Sequence, residues 1–323
     1  MERSLTSMKI VILDDYQDGA LRSADWASLD AEVQTVTRHL VEQDELVEVL
    51  GDAAVVVAMR ERTPFPAELI ERLPRLKLLV TTAMYNTSID MAAATERGIV
   101  VCGTRGVKLS TAELTWGLIL ALMRNIPQEQ QSLRDGGWQQ GLGSSLVGKT
   151  LGLFGLGKVG SHMSRVANAF QMNVVAWSTN LTQDRAVECG ARLVSKQDLL
   201  RTSDVVSIHL VLGDRSRNLI GSGELAMMRP QSYLVNTSRA PIVDTAALVT
   251  ALRDGTIAGA AVDVFETEPL PGDHPLRGAP NTLLTPHIGY VTQEDYRLFY
   301  GDVVDDISAW VSGSPIRVLN RPD

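Results

Sequence analysis

Residues 151–160 read LGLFGLGKVG, an apolar run that breaks into Gly155-Leu156-Gly157-Lys158-Val159-Gly160. Leu151, Leu153 and Phe154 predict the end of a buried strand. Residues 161–170 predict a helix, with Met163, Val166, Ala167 and Phe170 at helical spacing. A second strand is predicted over residues 173–177. In a strand–turn–helix setting each glycine has its own task. Gly155 allows the tight turn, Gly157 lets main chain approach a pyrophosphate, and Gly160 lets helix and strand pack closely. The helix N-terminus offers unpaired N–H groups and a partial positive charge to that pyrophosphate. Glycines placed only for packing would give a similar pattern. The flanking strands and helix favour a dinucleotide held by Leu156, Lys158 and Val159 together with the three glycines.

The chain around this stretch has 323 residues, enough for two domains, with apolar and charged fractions of a globular protein. A net charge of −8 argues against a nucleic-acid or anionic-membrane partner, although a local Arg can still serve a small anionic substrate. Two cysteines, Cys102 and Cys189, make no disulfide framework and no metal spacing, and a reducing cytoplasm is expected. The five histidines (His39, His162, His209, His274 and His287) show no ligand spacing either, so no metal is expected. No signal peptide is expected: the apolar run 8–13 is short, and Asp14-Asp15 follows at once.

β-branched runs alternate with amphipathic stretches almost throughout, as in a parallel α/β sheet. In the first third, strands are predicted over 9–13, 32–36, 54–58, 76–81 and 99–102, with helices such as 44–50 and 66–73 between them. A long helix is predicted over 110–125, with Ser110 and Glu113 as a capping box and Pro127 ending it. A second helix over 128–135 leads to a Gly/Ser-rich loop. From Leu151 a second doubly wound unit follows, with strands over 151–154, 174–177, 205–209, 233–236, 259–262 and 282–284. The chain then turns helical over 292–311 and ends in a short apolar strand over 316–319. This order predicts that the second unit is inserted into the first, with two crossings and a cleft shared between them.

Ligands of such sheets lie beyond the carboxyl ends of strands. Three ionisable residues occupy such positions. Arg239 follows the strand of NTSRAPIVD, Glu268 that of DVFETEPL, and His287 lies in TPHIGY. Histidine changes charge near neutral pH and can donate or accept a proton. A carboxylate beside it fixes the ring and favours imidazolium. Arginine offers a planar fork to a carboxylate. Each residue alone also fits a structural role: His287 as a cap, Arg239 paired with Asp244, Glu268 as a solvated loop residue.

In order along the chain, GLGKVG, DVVSIHLVL, LVNTSRAPIVD, GAAVDVFETEPL and TPHIGY together resemble the D-isomer-specific 2-hydroxyacid dehydrogenases, which include phosphoglycerate dehydrogenases and glyoxylate/hydroxypyruvate reductases. The resemblance covers nearly the whole chain. It implies an α/β fold of two doubly wound parallel-sheet domains. A Rossmann nucleotide-binding domain, residues 106–289, is inserted into a flavodoxin-like substrate domain, residues 1–105 with 290–323. It implies a homodimer built on the nucleotide domains and reduction of a small 2-keto acid to the 2-hydroxy acid. In this reading Arg239 binds the substrate carboxylate and polarises the ketone, His287 is the acid/base, and Glu268 is its partner. Asp263 holds the nicotinamide carboxamide, and His209 and Thr237 lie beside the cofactor. Main-chain N–H groups of Met84 and Tyr85 meet the substrate carboxylate, and Arg60 stands where some members place a substrate-contacting Arg.

The sequence departs from the family pattern in two places that bear on function. Ala83 and Tyr85 replace glycines of the substrate loop, and the bulk of Tyr85 points to a substrate with an apolar or aromatic tail. An NAD site wants a carboxylate at the end of the second strand, about 20 residues into the unit. Here that end reads Ser178-Thr179-Asn180, with Arg185 a few residues on. This leans the expectation to NADP over NAD. The alternative to an enzyme is a dinucleotide-sensing interaction protein like the corepressors of the same superfamily. Against it, no interaction segment beyond the enzyme core is read in the chain.

Overall fold

The structure, a computed structural model, describes residues 8–107 and 109–321. The chain divides into two compact units, with boundaries at Val107/Lys108 and Tyr290/Val291. The chain therefore enters the second unit once and leaves it once.

The first unit opens with β1 (Met8–Ile12), α1 (Ala20–Ser23), β2 (Ala31–Thr35), α2 (Gln43–Leu50), β3 (Val55–Ala58), α3 (Ala67–Glu71), β4 (Leu78–Thr81), α4 (Met91–Glu96) and β5 (Val100–Gly103). All strand pairs are parallel, in the order β2-β1-β3-β4-β5. Every residue of β3 and β4 is buried, which is why they read as unbroken apolar runs rather than alternating ones. The order reverses between β1 and β3, and the crevice at that point lies beyond their carboxyl ends.

The second unit begins with α5 (Ser110–Met123) and α6 (Ile126–Arg134). It continues through β6 (Thr150–Phe154), α7 (Lys158–Ala169), β7 (Asn173–Trp177), α8 (Gln183–Glu188), β8 (Arg192–Leu193), α9 (Lys196–Thr202), β9 (Val205–Ile208), α10 (Ser222–Met227), β10 (Tyr233–Asn236), α11 (Thr245–Arg253), β11 (Gly259–Val262) and β12 (Thr282–Leu284). Seven parallel strands run in the order β12-β11-β10-β9-β6-β7-β8. Successive residues of a strand serve opposite faces. Val206, Leu234 and Ala260 pack with Leu199, Leu225 and Leu248 on one side. Val205, Val235 and Ala261 pack with Trp116, Met163 and Ala167 on the other. Helices thus cover both faces of the sheet. The chain then returns to the first unit as α12 (Gln293–Val311), whose Phe299, Tyr300, Val303 and Ile307 are buried.

Local geometry differs from the sequence expectation at five points. α7 starts at Lys158 rather than at 161, so the helix begins inside the glycine motif. Ser110 is not a cap. Leu109 occupies that position without a side-chain bond, and Ser110 is already helical. Pro127 opens α6 rather than ending α5, because the left-handed Asn125 (φ 53°) makes the break. Proline suits a first helical turn, where its missing N–H costs nothing. Residues 316–319 form no strand. Arg317 is left-handed (φ 50°), and Val318 makes one antiparallel bridge to Cys102. The two-residue β8 is too short to show a period in the sequence.

Candidate active site

The glycine motif closes a turn at the end of β6. Gly155 has φ 96°, and a Cβ there would lie 2.6 Å from the His209 carbonyl oxygen. A Cβ on Gly160 would fall 2.1 Å from the Gly155 carbonyl oxygen, so α7 could not start this close to the strand with any side chain. Gly157 is the cap of α7, and a Cβ on it would meet nothing within 4 Å. Protein packing therefore does not demand glycine at 157, whereas close approach of a ligand would. The Leu156 side chain is buried in the core and Val159 packs against it, so both offer a ligand main-chain N–H groups only. Lys158, the first helical residue, is exposed.

Around this cradle, His209 follows β9 directly. Its Nε2 lies 2.9 Å from the Ser207 hydroxyl, and burial pushes its pKa down to about 4, so it stays neutral. The Thr237 hydroxyl is tied to that of Thr115 at 2.8 Å. Ser178, Thr179 and Asn180, after β7, line a cleft of about 520 Å³ together with the 210–216 loop. Arg185 does not line that cleft. It sits on α8 and pairs with Glu188 at 2.7 Å, because the Thr182 cap starts the helix before the chain can turn back.

The acid/base candidates sit beyond β10, β11 and β12, three neighbouring strands. His287 Nδ1 is 2.6 Å from Glu268 Oε2. Glu268 Oε1 in turn accepts the Phe265 N–H at 2.9 Å, which fixes the carboxylate plane. His287 is left-handed (φ 52°), an uncommon state for a residue with a side chain, and its ring meets the Tyr290 ring edge-on at 5.5 Å. Asp263 holds that loop. It is 1% exposed and accepts the Thr285 hydroxyl at 2.6 Å, the Ile288 N–H at 2.9 Å and the Gly289 N–H at 3.0 Å. Burial raises the Asp263 pKa, opposed by these hydrogen bonds and by His287. Arg239 is half-buried after β10, and its Nη1 donates to the Ser238 carbonyl at 2.9 Å. Asn236 shapes this turn from both sides, donating to the Arg239 carbonyl and accepting the Ser238 N–H. Asp244 caps α11, accepting the Ala247 N–H.

In the first unit, Arg60 is left-handed (φ 51°) beyond β3. Its N–H donates to the Thr82 hydroxyl at 3.0 Å, and its carbonyl accepts from Asn86 Nδ2 at 2.7 Å. These bonds stitch the loops after β3 and β4 together. Met84 and Tyr85 stand out from the second loop, 51% and 69% exposed. The buried Asp14 braces the first loop. Its carboxylate accepts the Thr63 hydroxyl at 2.6 Å and faces His39 Nδ1 at 2.9 Å, and its carbonyl accepts from Arg62. Asp14, Asn86 and Asn236 carry no signal of these roles in the sequence. Their partners lie far away in the chain or act through main chain, and neither leaves a spacing to read.

Among the described residues no group of three or more His, Cys, Asp or Glu could hold a metal ion, and no helix is long and apolar enough to cross a membrane. The family model for the D-isomer specific 2-hydroxyacid dehydrogenase NAD-binding domain matches residues 116–289. The glyoxylate reductase of Aeropyrum pernix is 41% identical over 265 residues, 79% of each chain. The D-3-phosphoglycerate dehydrogenase of Archaeoglobus fulgidus is 36% identical over 98% of this chain, which spans 60% of that protein's length. The crystal structure of a phosphoglycerate oxidoreductase from Vibrio cholerae superposes with a TM-score of 0.89 at 34% identity, covering 95% of this chain and 99% of that one. With the glycine cradle, the parallel sheet and this extent of similarity, the chain belongs to the D-isomer specific 2-hydroxyacid dehydrogenase family and is an oxidoreductase that works with a nicotinamide dinucleotide.

Proposed function

We propose that the protein reduces a small 2-keto acid to the 2-hydroxy acid, with His287 as proton donor and with NADP preferred over NAD. The observation that carries this reading is the 2.6 Å contact between His287 Nδ1 and Glu268 Oε2. With Nδ1 committed to the carboxylate, Nε2 is the nitrogen that can give a proton to a carbonyl oxygen. The Phe265 N–H holds Glu268, and Glu268 holds the imidazole, so the ring is oriented before substrate arrives.

Arg239 would bind the substrate carboxylate and polarise the carbonyl, with its turn shaped by Asn236. In the other unit, we assign the main-chain N–H groups of Met84 and Tyr85 and the side chain of Arg60 to the substrate. Gly155, Gly157 and Gly160 with the start of α7 would hold the pyrophosphate, as the open space over Gly157 permits. His209 and the main chain at Thr237 would line the dinucleotide, and Asp263 would face its carboxamide with the lone pairs its loop leaves over. The bound nicotinamide supplies the hydride. Glyoxylate and hydroxypyruvate, named in the relatives, are the first substrates to test.

The lean to NADP rests on Ser178-Thr179-Asn180, which put no carboxylate at the end of β7, where an NAD site wants one. The arm from α6 to residue 148 carries exposed Ile126, Leu133, Trp138, Leu142 and Val147, and α6 has no buried residue. We assign this apolar surface to the interface of a homodimer. The free, buried Cys102 and Cys189 accord with a cytoplasmic location.

The test is a paired initial-rate assay of NADPH and NADH oxidation with glyoxylate, hydroxypyruvate, pyruvate and phenylpyruvate. Turnover with any of these acids is the expected result, and the largest rate should come with NADPH. Dinucleotide binding without turnover of any acid would overturn the assignment of substrate.

A further inference from the structure

The cleft beyond β7 and β9 has an unusual set of uncommitted polar groups. On one wall lie Ser178, Thr179 and Asn180, whose side chains make no hydrogen bond among the described residues. The opposite wall is the loop 210–216. Ser216 builds that loop, accepting the Gly213 N–H at 2.9 Å and donating to the Val211 carbonyl at 2.7 Å. Buried Ser216 thereby fixes the backbone from which Arg215 departs. Arg215 lines the same cleft and is exposed, with no ion pair or hydrogen bond among the described residues. Arg185 and Lys196 are committed elsewhere, to Glu188 and Glu224, and Arg217 does not line the cleft.

We propose that Arg215, across the cleft from Ser178 and Thr179, binds the 2′-phosphate of NADP and sets the coenzyme preference of this chain. This rests on the reading that the chain uses NADP, and it places the cation on the β9 loop rather than at the end of β7. A 2′-phosphate brings close to two negative charges and strong acceptor oxygens. The hydroxyls and amide of 178–180 supply neutral donors, but no charge. A guanidinium supplies both the charge and a planar fork that matches phosphate geometry. Asp214 lines the cleft as well and works the other way. Its carboxylate repels a phosphate, and in a site built for NAD it would accept from the ribose 2′-hydroxyl instead. Arg215 and Asp214 therefore make opposite predictions for the two coenzymes.

The experiment is calorimetric titration of the wild-type protein, R215A and D214N with NADPH, NADH and the fragment 2′,5′-ADP. For R215A, affinity for NADPH and for 2′,5′-ADP should fall about tenfold or more, as for loss of a hydrogen-bonded charge, with NADH unchanged. The NADPH affinity of the wild type should weaken with added salt more steeply than that of R215A. D214N should bind NADPH more tightly and NADH equally well. Unchanged NADPH binding by R215A, while the wild type still prefers NADPH, would make Arg215 a solvated loop residue and overturn the proposal. Equal losses of NADPH and NADH would also overturn it, as an effect on the loop as a whole. A wild type that prefers NADH, with D214N losing NADH, would overturn the NADP reading itself.

Discussion

Gly157 and Gly160 lie three residues apart in one motif, yet alanine at the two positions should have opposite consequences. At Gly160 a methyl carbon would lie 2.1 Å from the Gly155 carbonyl oxygen and 3.0 Å from its carbonyl carbon. Both are backbone atoms of a turn held by the Gly155 N–H bond to Trp177, so neither can swing away like a side-chain tip. Relief requires α7 to back off the strand by roughly 1 Å, against a core in which Met163 and Ala167 are fully buried. Overpacking of this kind costs about 1–3 kcal/mol, and a backbone obstacle puts G160A near the upper end. For a unit of this size that is a fall in Tm of roughly 6–12 °C. At Gly157 the methyl would meet nothing within 4 Å, and φ is −77°, so the expected cost is only that of a poorer helix cap, about 0.5–1 kcal/mol. What it should meet is a pyrophosphate. The assay is thermal unfolding of both variants beside calorimetric titration with the dinucleotide. G157A should keep its Tm within about 4 °C and bind at least roughly tenfold more weakly. G160A should lose Tm. Equal Tm losses in the two variants, or wild-type dinucleotide binding by G157A, would refute the division of the motif into a packing glycine and a ligand glycine.

Removal of the imidazole in His287→Ala should cut turnover by roughly 10²–10⁴ with dinucleotide affinity unchanged; turnover surviving within a few-fold would refute the proton-donor role. Glu268→Gln should lower kcat by roughly tenfold or more, since the imidazole loses the carboxylate that holds its ring, and turnover within two-fold of wild type would dissolve the pair. Arg239→Lys should lower kcat/KM by roughly tenfold or more because a point charge replaces a fork, and a two-fold loss would exclude bidentate binding. In the other unit, burial of the fully enclosed Asp306 pushes its pKa to about 7, with Arg317 at 3.0 Å opposing and Asp302 adding to the rise. The folded chain then holds this proton more tightly than the unfolded chain does. Its contribution to stability is present below about pH 4 and is lost as pH rises through about 7. Asp306→Asn should therefore flatten the decline of Tm across that window, and superimposable Tm–pH curves would refute it.

The sheets were legible because buried parallel strands carry their own label. VVVA at 55–58 and LLVT at 78–81 are apolar on both faces, and the unbroken run survives without knowledge of any partner. Helix ends were not legible to the same degree. Ser110 with Glu113 has the composition of a capping box, but the chain is already helical at Ser110, and a cap is a backbone state rather than a composition. Of the site, the charged residues after strands stand out in the sequence, since their positions follow from the strands. The groups that hold them do not. Asp14 reaches Thr63 across 49 residues and His39 across 25, and Asn86 reaches Arg60 across 26. Such pairings exist only once β2, β1, β3 and β4 lie side by side.

Asp263, which the family resemblance casts as a ligand of the nicotinamide carboxamide, is itself tied up by long-range partners. A carboxylate has roughly four lone-pair positions. Here three are taken by Thr285, Ile288 and Gly289, all in the segment that carries His287. His287 is left-handed, a conformation that costs of order 1 kcal/mol or more and persists only when the surroundings over-determine it. Two main-chain N–H bonds and one hydroxyl, converging on one buried acid from the residues on either side of His287, are such surroundings. The energy that keeps the imidazole facing Glu268 is thus supplied in large part from β11, the strand after which Glu268 itself emerges. Glu268 and Asp263 both follow β11, and His287 follows the neighbouring β12, so the imidazole is positioned by the fold of this unit, before any ligand is bound.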